Sequence, residues 1–181
     1  MLQNKIAVVT GGTRGIGYAI VQKFLQNGAK VVLFGSREET VVKAVASLKE
    51  ENPDWDVSGA WPKLTDAAAM ADEIAKIKEK YGRIDILVNN AGGYPKEIYK
   101  NIEHQAIKIW EWSEEQWDQI IKTNLRIPFL VTKNVVPVMI KQGKGDIVNV
   151  SSRMGRIASQ MGAYAVAKGG IVTMTKTTAI Q

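Results

Sequence analysis

Short runs of β-branched and other apolar residues alternate along the chain with longer stretches whose apolar residues recur at helical spacing. This alternation is typical of a parallel sheet whose strands are joined by crossover helices. One run, Lys30–Phe34, is almost entirely apolar, as expected of a strand buried on both faces. The pattern predicts an α/β protein with a doubly wound parallel sheet of about five strands. The predicted strands are Lys5–Thr10, Lys30–Phe34, Trp55–Ala60, Ile84–Val88 and Ile147–Ser151.

Capping residues and glycines mark the ends of the predicted helices. Gly28 is placed to end the first helix, and Thr65 or Asp66 can cap the third. Ser113 and Gln116 have the spacing of a capping box at the start of a long helix. The helices are predicted from the first glycine-rich turn to Gln26, from Glu38 to Glu50, from about Asp66 to Tyr81, from Ser113 to about Gln142, and from near Gly162 to Gln181.

Composition excludes several kinds of site. The 181 residues include no cysteine and a single histidine, His104, which excludes disulfides, thiolate nucleophiles, cysteine-bound zinc and multi-histidine metal centres. His104 lies in a polar context and is expected at the surface. No apolar run approaches the roughly 18 to 20 residues that span a bilayer, and no signal peptide precedes the first strand. We therefore expect a cytoplasmic protein that does not associate with membranes.

The formal net charge is +6, from 24 basic and 18 acidic residues. A basic chain can bind nucleic acid. Here, however, the lysines are scattered among acids, and no basic run carries interleaved aromatic residues. The charge is therefore interpreted as a solvated surface, and no nucleic-acid partner is expected.

A glycine-rich turn, Thr10–Gly17, joins the first strand to the first helix. Glycine lets a backbone approach a ligand closely, and the free N–H groups of a helix N-terminus suit a pyrophosphate. The spacing is GxxxGxG rather than the GxGxxG dinucleotide fingerprint, so a turn without a ligand is the alternative. The residues predicted to bind a dinucleotide here are Gly11, Thr13, Arg14, Gly15, Ile16 and Gly17.

The end of the second strand bears on which dinucleotide binds. NAD-binding folds often place an acid here to bind the ribose 2′-hydroxyl, whereas this chain has Gly35, Ser36 and Arg37. A guanidinium from Arg37 or Arg14 would pair with a 2′-phosphate. Ser36 and Arg37 therefore favour NADP(H) over NAD(H). Two glutamates follow at once, and a solvated Arg37 without a ligand is the alternative.

The sequence Asn89-Asn90-Ala91-Gly92 follows the fourth strand. Ligands of doubly wound sheets bind at the carboxyl ends of the strands, which predicts that Asn90, Ala91 and Gly92 contact the dinucleotide. An ordinary Asn/Gly turn is the alternative.

Tyr164 and Lys168 are four residues apart on the last predicted helix, so their side chains share a face. A nearby cation favours the ionised form of a phenol, which suits Tyr164 to act as a general acid or base. The pair follows a strand that ends in Ser151 and Ser152. Because side chains alternate along a strand, only one of these serines is expected to serve the same site.

Together these motifs resemble those of the short-chain dehydrogenase/reductase superfamily over almost the whole chain. The resemblance implies a Rossmann-like fold and hydride exchange between a nicotinamide and a carbonyl or alcohol carbon. It also implies that Tyr164 passes a proton to or from the substrate oxygen, while Lys168 binds the nicotinamide ribose. The family's pattern places its serine, which hydrogen-bonds the substrate oxygen, at Ser152, with Ser151 as second choice. Asn124 would anchor a water that relays protons.

Pro128 lies four residues after Asn124 in the long predicted helix. Because proline has no N–H, the carbonyl of Asn124 loses its helical partner, and a kink is expected. The resemblance implies that this carbonyl holds the relay water. A kink without a functional role is the alternative.

The chain departs from the family pattern in two places. Lys63 stands where the family usually has an aspartate that contacts adenine, and the chain stops at Gln181, before the last two strands of the family. We therefore expect 1–181 to be a single dinucleotide-binding domain, incomplete at its carboxyl end, with the fifth strand left as a sheet edge. The resemblance implies a homo-oligomer, either a dimer or a tetramer.

The predicted function is that of an NADP(H)-dependent carbonyl reductase or alcohol dehydrogenase acting on a small molecule. A non-catalytic dinucleotide-binding or regulatory module is the alternative. The irregular segment 92–112 contains Tyr94, Tyr99, Trp110 and Trp112, which could either shape a substrate pocket or form a packing surface.

Overall fold

All five predicted strands are present, and they form one sheet in a computed structural model that describes residues 1–94, 108–157 and 161–181. The sheet order is β3-β2-β1-β4-β5, and β1 pairs in parallel with both β2 and β4, as β2 does with β3. This order confirms the predicted doubly wound parallel sheet. The strands are β1 (Ile6–Thr10), β2 (Lys30–Phe34), β3 (Val57–Ala60), β4 (Ile86–Asn89) and β5 (Asp146–Asn149).

Two helices begin at predicted capping residues. Asp66 accepts hydrogen bonds from the N–H groups of Ala68 and Ala69 at 2.9 and 3.1 Å, and Ser113 forms the predicted capping box with Gln116. No helix of the described ranges is both long and apolar enough to cross a membrane. The helices are α1 (Gly15–Gln26), α2 (Glu38–Glu51), α3 (Ala67–Tyr81), α4 (Glu114–Ile121), α5 (Ile127–Lys141) and α6 (Gly162–Ala179).

The prediction of one continuous α-helix from Ser113 to Gln142 is wrong, because the helix is interrupted. A π-helical turn, Lys122–Arg126, separates α4 from α5, and the N–H of Ile127 donates to the carbonyl of Lys122, five residues earlier. Pro128 follows directly and has no N–H to donate, so the α-helical hydrogen bond to the carbonyl of Asn124 cannot form, although α5 continues beyond it. The predicted interruption takes the form of a wider turn.

The described residues divide into two compact units, Met1–Ala91 with Leu130–Val148 and Gly92–Phe129 with Asn149–Gln181. In the first unit, β1 and β4 are buried along their whole length and β2 is buried except at Lys30, because both faces are covered by apolar side chains. Each large apolar side chain buried in this way contributes about 1.5–3 kcal/mol. The helices supply Val21 and Leu25 from α1, Val41 and Leu48 from α2, and Met70, Ile74 and Ile77 from α3.

Asp85 connects three strands at the amino end of the sheet. Its carboxylate accepts the N–H of Ile6 at 2.9 Å, its own N–H donates to the Ile6 carbonyl, and its carbonyl accepts the N–H of Asp146 at 2.9 Å. Arg83 donates to the same carboxylate, and Lys5 lies 3.5 Å away. Burial raises the pKa of Asp85, but the hydrogen bonds from Arg83 and Ile6 and the two positive charges outweigh it and hold this pKa below its usual range.

We expect Asp85→Asn to lower the free energy of unfolding by about 1.5–3 kcal/mol at neutral pH, the usual range for a hydrogen bond to a charged group. Because the folded pKa is lowered, the contribution of Asp85 is complete above the ordinary aspartate pKa of about 3.9 and is lost as the pH falls through the folded pKa. In urea unfolding measured from neutral to acid pH, the free energies of unfolding of Asp85→Asn and of the unmodified protein should therefore converge as the pH falls. The exposed Asp72→Asn is the matched control, and an equal loss in both variants would contradict the assignment.

Candidate functional site

The glycine-rich turn brings β1 and α1 together more closely than any side chain would allow. A Cβ added at Gly17 would lie 2.1 Å from the carbonyl oxygen of Gly11 and 2.5 Å from Nδ2 of Asn90. That same amide donates to the carbonyls of Thr10 and Gly11 at 3.0 and 3.2 Å. Three of the predicted dinucleotide-binding residues, Gly11, Gly17 and Asn90, therefore form one packed group.

Thr10 joins the carboxyl ends of β1 and β4. Its buried hydroxyl accepts the N–H groups of Asn90 and Ala91 at 3.0 and 2.9 Å and donates to the carbonyl of Val88 at 3.4 Å. The backbone of Asn90 and Ala91 is thereby fixed at the edge of the sheet where doubly wound folds bind their ligands.

The first turn of α1 is open to a ligand. Its N-cap residue, Arg14, is extended, and the side chain of Arg14 makes no capping hydrogen bond to the N–H groups of this turn. Gly15 and Ile16 are exposed, and Ile16 retains 67% of its accessible surface. Uncapped N–H groups at the positive end of a helix dipole fit a pyrophosphate, so the donors present here are those that a dinucleotide requires.

The end of β2 lies against the same turn. A Cβ added at Gly35 would be 2.7 Å from the methyl group of Thr13, so the backbone of Gly35 packs on the turn directly. Ser36 and Arg37 follow at the surface, and Arg37 is the N-cap residue of α2. Both Arg37 and Arg14 are exposed, and no carboxylate occupies position 35 or 36.

In the second unit, Asn124 holds the backbone that follows β4. Its side chain is fully buried, with Oδ1 accepting the N–H of Gly93 at 2.8 Å and Nδ2 donating to the carbonyls of Gly93 and Ile120 at 2.9 and 3.1 Å. Gly92 is close by, since a Cβ there would come 2.8 Å from Oδ1 of Asn124 and 3.4 Å from Nζ of Lys168. The side chain of Asn124 is thus occupied within the protein.

Lys168 is a buried cation of this unit. Only 4% of its surface is exposed, and Nζ donates to the carbonyl of Val150 at 2.8 Å and lies 5.8 Å from the ring centroid of Tyr164. Burial lowers the pKa of Lys168. The carbonyl of Lys168 in turn accepts the hydroxyl of Ser151 at 2.8 Å. Val150 and Ser151 are therefore hydrogen-bonded to Lys168 of α6 in both directions.

The two candidate serines differ in how their hydroxyl groups are used. β5 ends at Asn149, two residues earlier than predicted, so both serines lie beyond the strand and strand alternation does not separate them. Ser151 gives its proton to the carbonyl of Lys168, whereas Ser152 accepts the N–H of Met154 at 3.2 Å and donates no hydrogen bond to another described residue. The short turn Arg153–Gly155 that Ser152 opens packs on the α6 backbone at Lys168.

The sequence did not predict the role of Tyr94. Its ring stacks on that of Tyr164, with centroids 5.0 Å apart and planes inclined by 27°, and its hydroxyl donates to the carbonyl of Met161 at 3.3 Å. Burial, and to a smaller extent the charge of Tyr164, raises the pKa of Tyr94 to about 12. The only signals were its aromatic character and its place directly after Gly93. Two other residues considered in this segment, Tyr99 and His104, lie outside the described residues.

Comparison of the sequence with known protein families identifies the family of this chain. The profile of the short chain dehydrogenase family matches residues 5–181. The chain belongs to the short-chain dehydrogenase family. A 3alpha-hydroxysteroid dehydrogenase of Mediterraneibacter gnavus is 40% identical to this short-chain dehydrogenase over 180 residues, covering 99% of this chain and 68% of the relative.

Further matches extend the comparison to solved structures. A 3-oxoacyl-(acyl-carrier-protein) reductase of Thermotoga maritima is 39% identical over 181 residues, which are 97% of this short-chain dehydrogenase and 67% of the relative. The crystal structure of a metagenomic short-chain oxidoreductase in complex with NADP superimposes with a TM-score of 0.85 at 30% identity, covering 98% of this chain and 76% of the other. The chain spans about two thirds of the length of the curated relatives it matches.

We expect Gly17→Ala to destabilise this short-chain dehydrogenase by about 3 kcal/mol or more, because the added methyl meets a backbone carbonyl that has no room to move. Gly15→Ala is the matched control. Gly15 has a φ of +54° but open space around an added Cβ, so its substitution should cost only about 1–2 kcal/mol of backbone strain. Urea unfolding measures both. Equal losses in the free energy of unfolding would show that the close approach of Gly17 to Gly11 does not make position 17 more sensitive than position 15.

Proposed function

We propose that this chain binds NADP(H) and catalyses hydride transfer between the nicotinamide and the carbonyl or alcohol carbon of a small molecule, with Tyr164 as proton donor or acceptor. The observation that carries the proposal is the arrangement on α6. There Lys168, buried and bonded to the carbonyl of Val150, lies 5.8 Å from the ring of Tyr164. This arrangement places a phenol that can exchange a proton and a buried ammonium on one face of the same helix, four residues apart.

The first unit would hold the phosphates of the dinucleotide. The uncapped N–H groups at the start of α1, in Gly15, Ile16 and Gly17, are suited to the pyrophosphate, and the exposed Arg14 and Arg37 to a 2′-phosphate. Asn90 and Ala91, whose backbone N–H groups are fixed by Thr10, would contact the remainder of the dinucleotide. Gly92 would be a further dinucleotide contact. When bound, the nicotinamide supplies or accepts the hydride.

The second unit would handle the proton and the substrate oxygen. Among the described residues the Ser152 hydroxyl accepts a hydrogen bond and donates none, so it can donate to a carbonyl oxygen, which supports its choice over Ser151. Tyr164 would give its proton to the same oxygen during reduction and take it back during oxidation. Asn124 would act through its backbone carbonyl, since its side chain is occupied by Gly93 and Ile120.

The substrate we propose is a ketone, or the matching secondary alcohol, carried on an apolar body. The relatives named for a hydroxysteroid and for a 3-oxoacyl chain share this chemistry. The half-buried Tyr94, Trp112 and Trp117 pack, as Tyr164 does, against one cluster of buried apolar residues. Aromatic side chains of this kind commonly line small-molecule sites.

We also propose that the protein is a homo-oligomer. Phe129 and Ile140 on α5 expose 49% and 69% of their surfaces, and Val148 on β5 exposes 49%. Apolar surface of this kind is commonly covered by another chain.

Arg37→Ala is expected to weaken NADPH binding about 10- to 100-fold, which is the loss of one charge-assisted hydrogen bond to the 2′-phosphate. NADH binding should change little, because NADH lacks that phosphate. Calorimetric titration of both cofactors measures this, with the exposed Lys43→Ala on α2 as a control of equal charge change. Equal affinity of the unmodified protein for NADPH and NADH would contradict the assignment.

Tyr164→Phe is expected to lower turnover by at least about 10²–10⁴-fold, as for loss of a general acid, while NADPH binding stays nearly unchanged. Lys168→Ala should impair both turnover and binding. Oxidation of NADPH with a panel of apolar ketones measures turnover, and Tyr81→Phe on α3 is the matched control. A Tyr164→Phe protein within a few fold of the unmodified one would refute the role of Tyr164. NADPH binding without turnover on any ketone would favour the non-catalytic alternative.

A further inference from the structure

Tyr94 makes two contacts that converge on the first turn of α6. Its ring stacks on the ring of Tyr164 with 5.0 Å between centroids, and its hydroxyl donates to the carbonyl of Met161 at 3.3 Å. That carbonyl also accepts the backbone N–H of Tyr164 at 3.0 Å. Tyr94 is therefore tied both to the side chain of Tyr164 and to the backbone bond that begins its helical turn.

The backbone that carries Tyr94 is itself held firmly. The residue before it, Gly93, is bonded through both its N–H and its carbonyl to the buried side chain of Asn124. A side chain that starts from so fixed a backbone has few orientations to choose from. Offset stacking between aromatic rings is favourable, so the Tyr94 ring restricts the rotation of the Tyr164 ring about its own side-chain bonds.

The hydroxyl of Tyr94 is suited to a structural role rather than to proton transfer. With its pKa raised to about 12, it stays protonated at neutral pH and continues to donate to Met161. Two phenols are stacked here, and the proton of Tyr94 is committed to a backbone carbonyl.

We propose that Tyr94 is a positioning residue for Tyr164, its ring holding the phenol of Tyr164 in the orientation that proton transfer requires. This rests on the proposed function, because the orientation matters only if Tyr164 transfers the proton. Proximity and orientation contribute strongly to rate, and small misplacements of a reacting group are costly.

The test compares a variant that keeps the ring with one that removes it. Tyr94→Phe retains the stacked ring and loses the hydroxyl, and Tyr94→Leu loses both. Tyr81→Leu on α3 removes another half-buried tyrosine and controls for general destabilisation. Circular dichroism establishes folding, and Tyr94→Met replaces Tyr94→Leu if the latter does not fold.

The first readout does not depend on activity. With ¹³C-labelled tyrosine, the ring resonances of Tyr164 are assigned by their loss in Tyr164→Phe. They should move downfield in Tyr94→Leu, because the shielding ring is gone, and should stay near their original positions in Tyr94→Phe and Tyr81→Leu. Unchanged Tyr164 resonances in Tyr94→Leu would overturn the stacking and with it the proposal.

The second readout is the division of the effect between kcat and KM. We expect Tyr94→Leu to lower kcat about 10-fold with KM for NADPH unchanged, and Tyr94→Phe to restore kcat to within about 2-fold. A full kcat in Tyr94→Leu would overturn the proposal. So would a loss in Tyr94→Phe as large as in Tyr94→Leu, or a raised KM for the ketone alone, which would indicate a substrate contact. No turnover in the unmodified protein would refute the proposed function, and the resonances would still decide whether Tyr94 holds the ring.

Discussion

The contact between Gly17 and the carbonyl of Gly11, beneath the amide of Asn90, is the constraint on which the first unit depends. With an added Cβ only 2.1 Å from that carbonyl, α1 can start where it does only because position 17 has no side chain. The close start lets Asn90 bond to the turn, and Thr10 fixes the next backbone groups. The ends of β1 and β4 and the N-terminus of α1 thus form one packed arrangement, whose uncapped N–H groups suit a phosphate.

In the second unit, side chains of the candidate catalytic set bond mainly to backbone. Asn124 holds Gly93 from both sides, Lys168 reaches the carbonyl of Val150, and Ser151 reaches the carbonyl of Lys168. Backbone segments without regular secondary structure must satisfy their polar groups in some way once they are buried. The residues that match the motifs of the short-chain dehydrogenase family therefore also stabilise the segments around them.

Features set by local chemistry could be predicted from the sequence, and those set by tertiary contacts could not. The alternation of strands and helices follows from periodicity, and the caps at Asp66 and Ser113 follow from side chains bonding to their own neighbours. Pro128 predicted an interruption, but its form as a π-helical turn depends on how the neighbouring carbonyls find new partners. The stacking of Tyr94 brings together residues seventy positions apart, and no spacing rule links them.

The bond from Lys168 to the carbonyl of Val150 has a consequence for the thermodynamics of ligand binding. A free lysine side chain has about 2 kcal/mol of rotamer entropy to lose when it is immobilised. Here that loss occurs during folding, because Nζ is already buried and held at 2.8 Å from its acceptor. An ammonium has three protons, and the described residues accept one of them, at Val150. In the proposed complex, a ligand would meet a donor whose ordering has already been completed by the fold, and more of the interaction would appear as affinity.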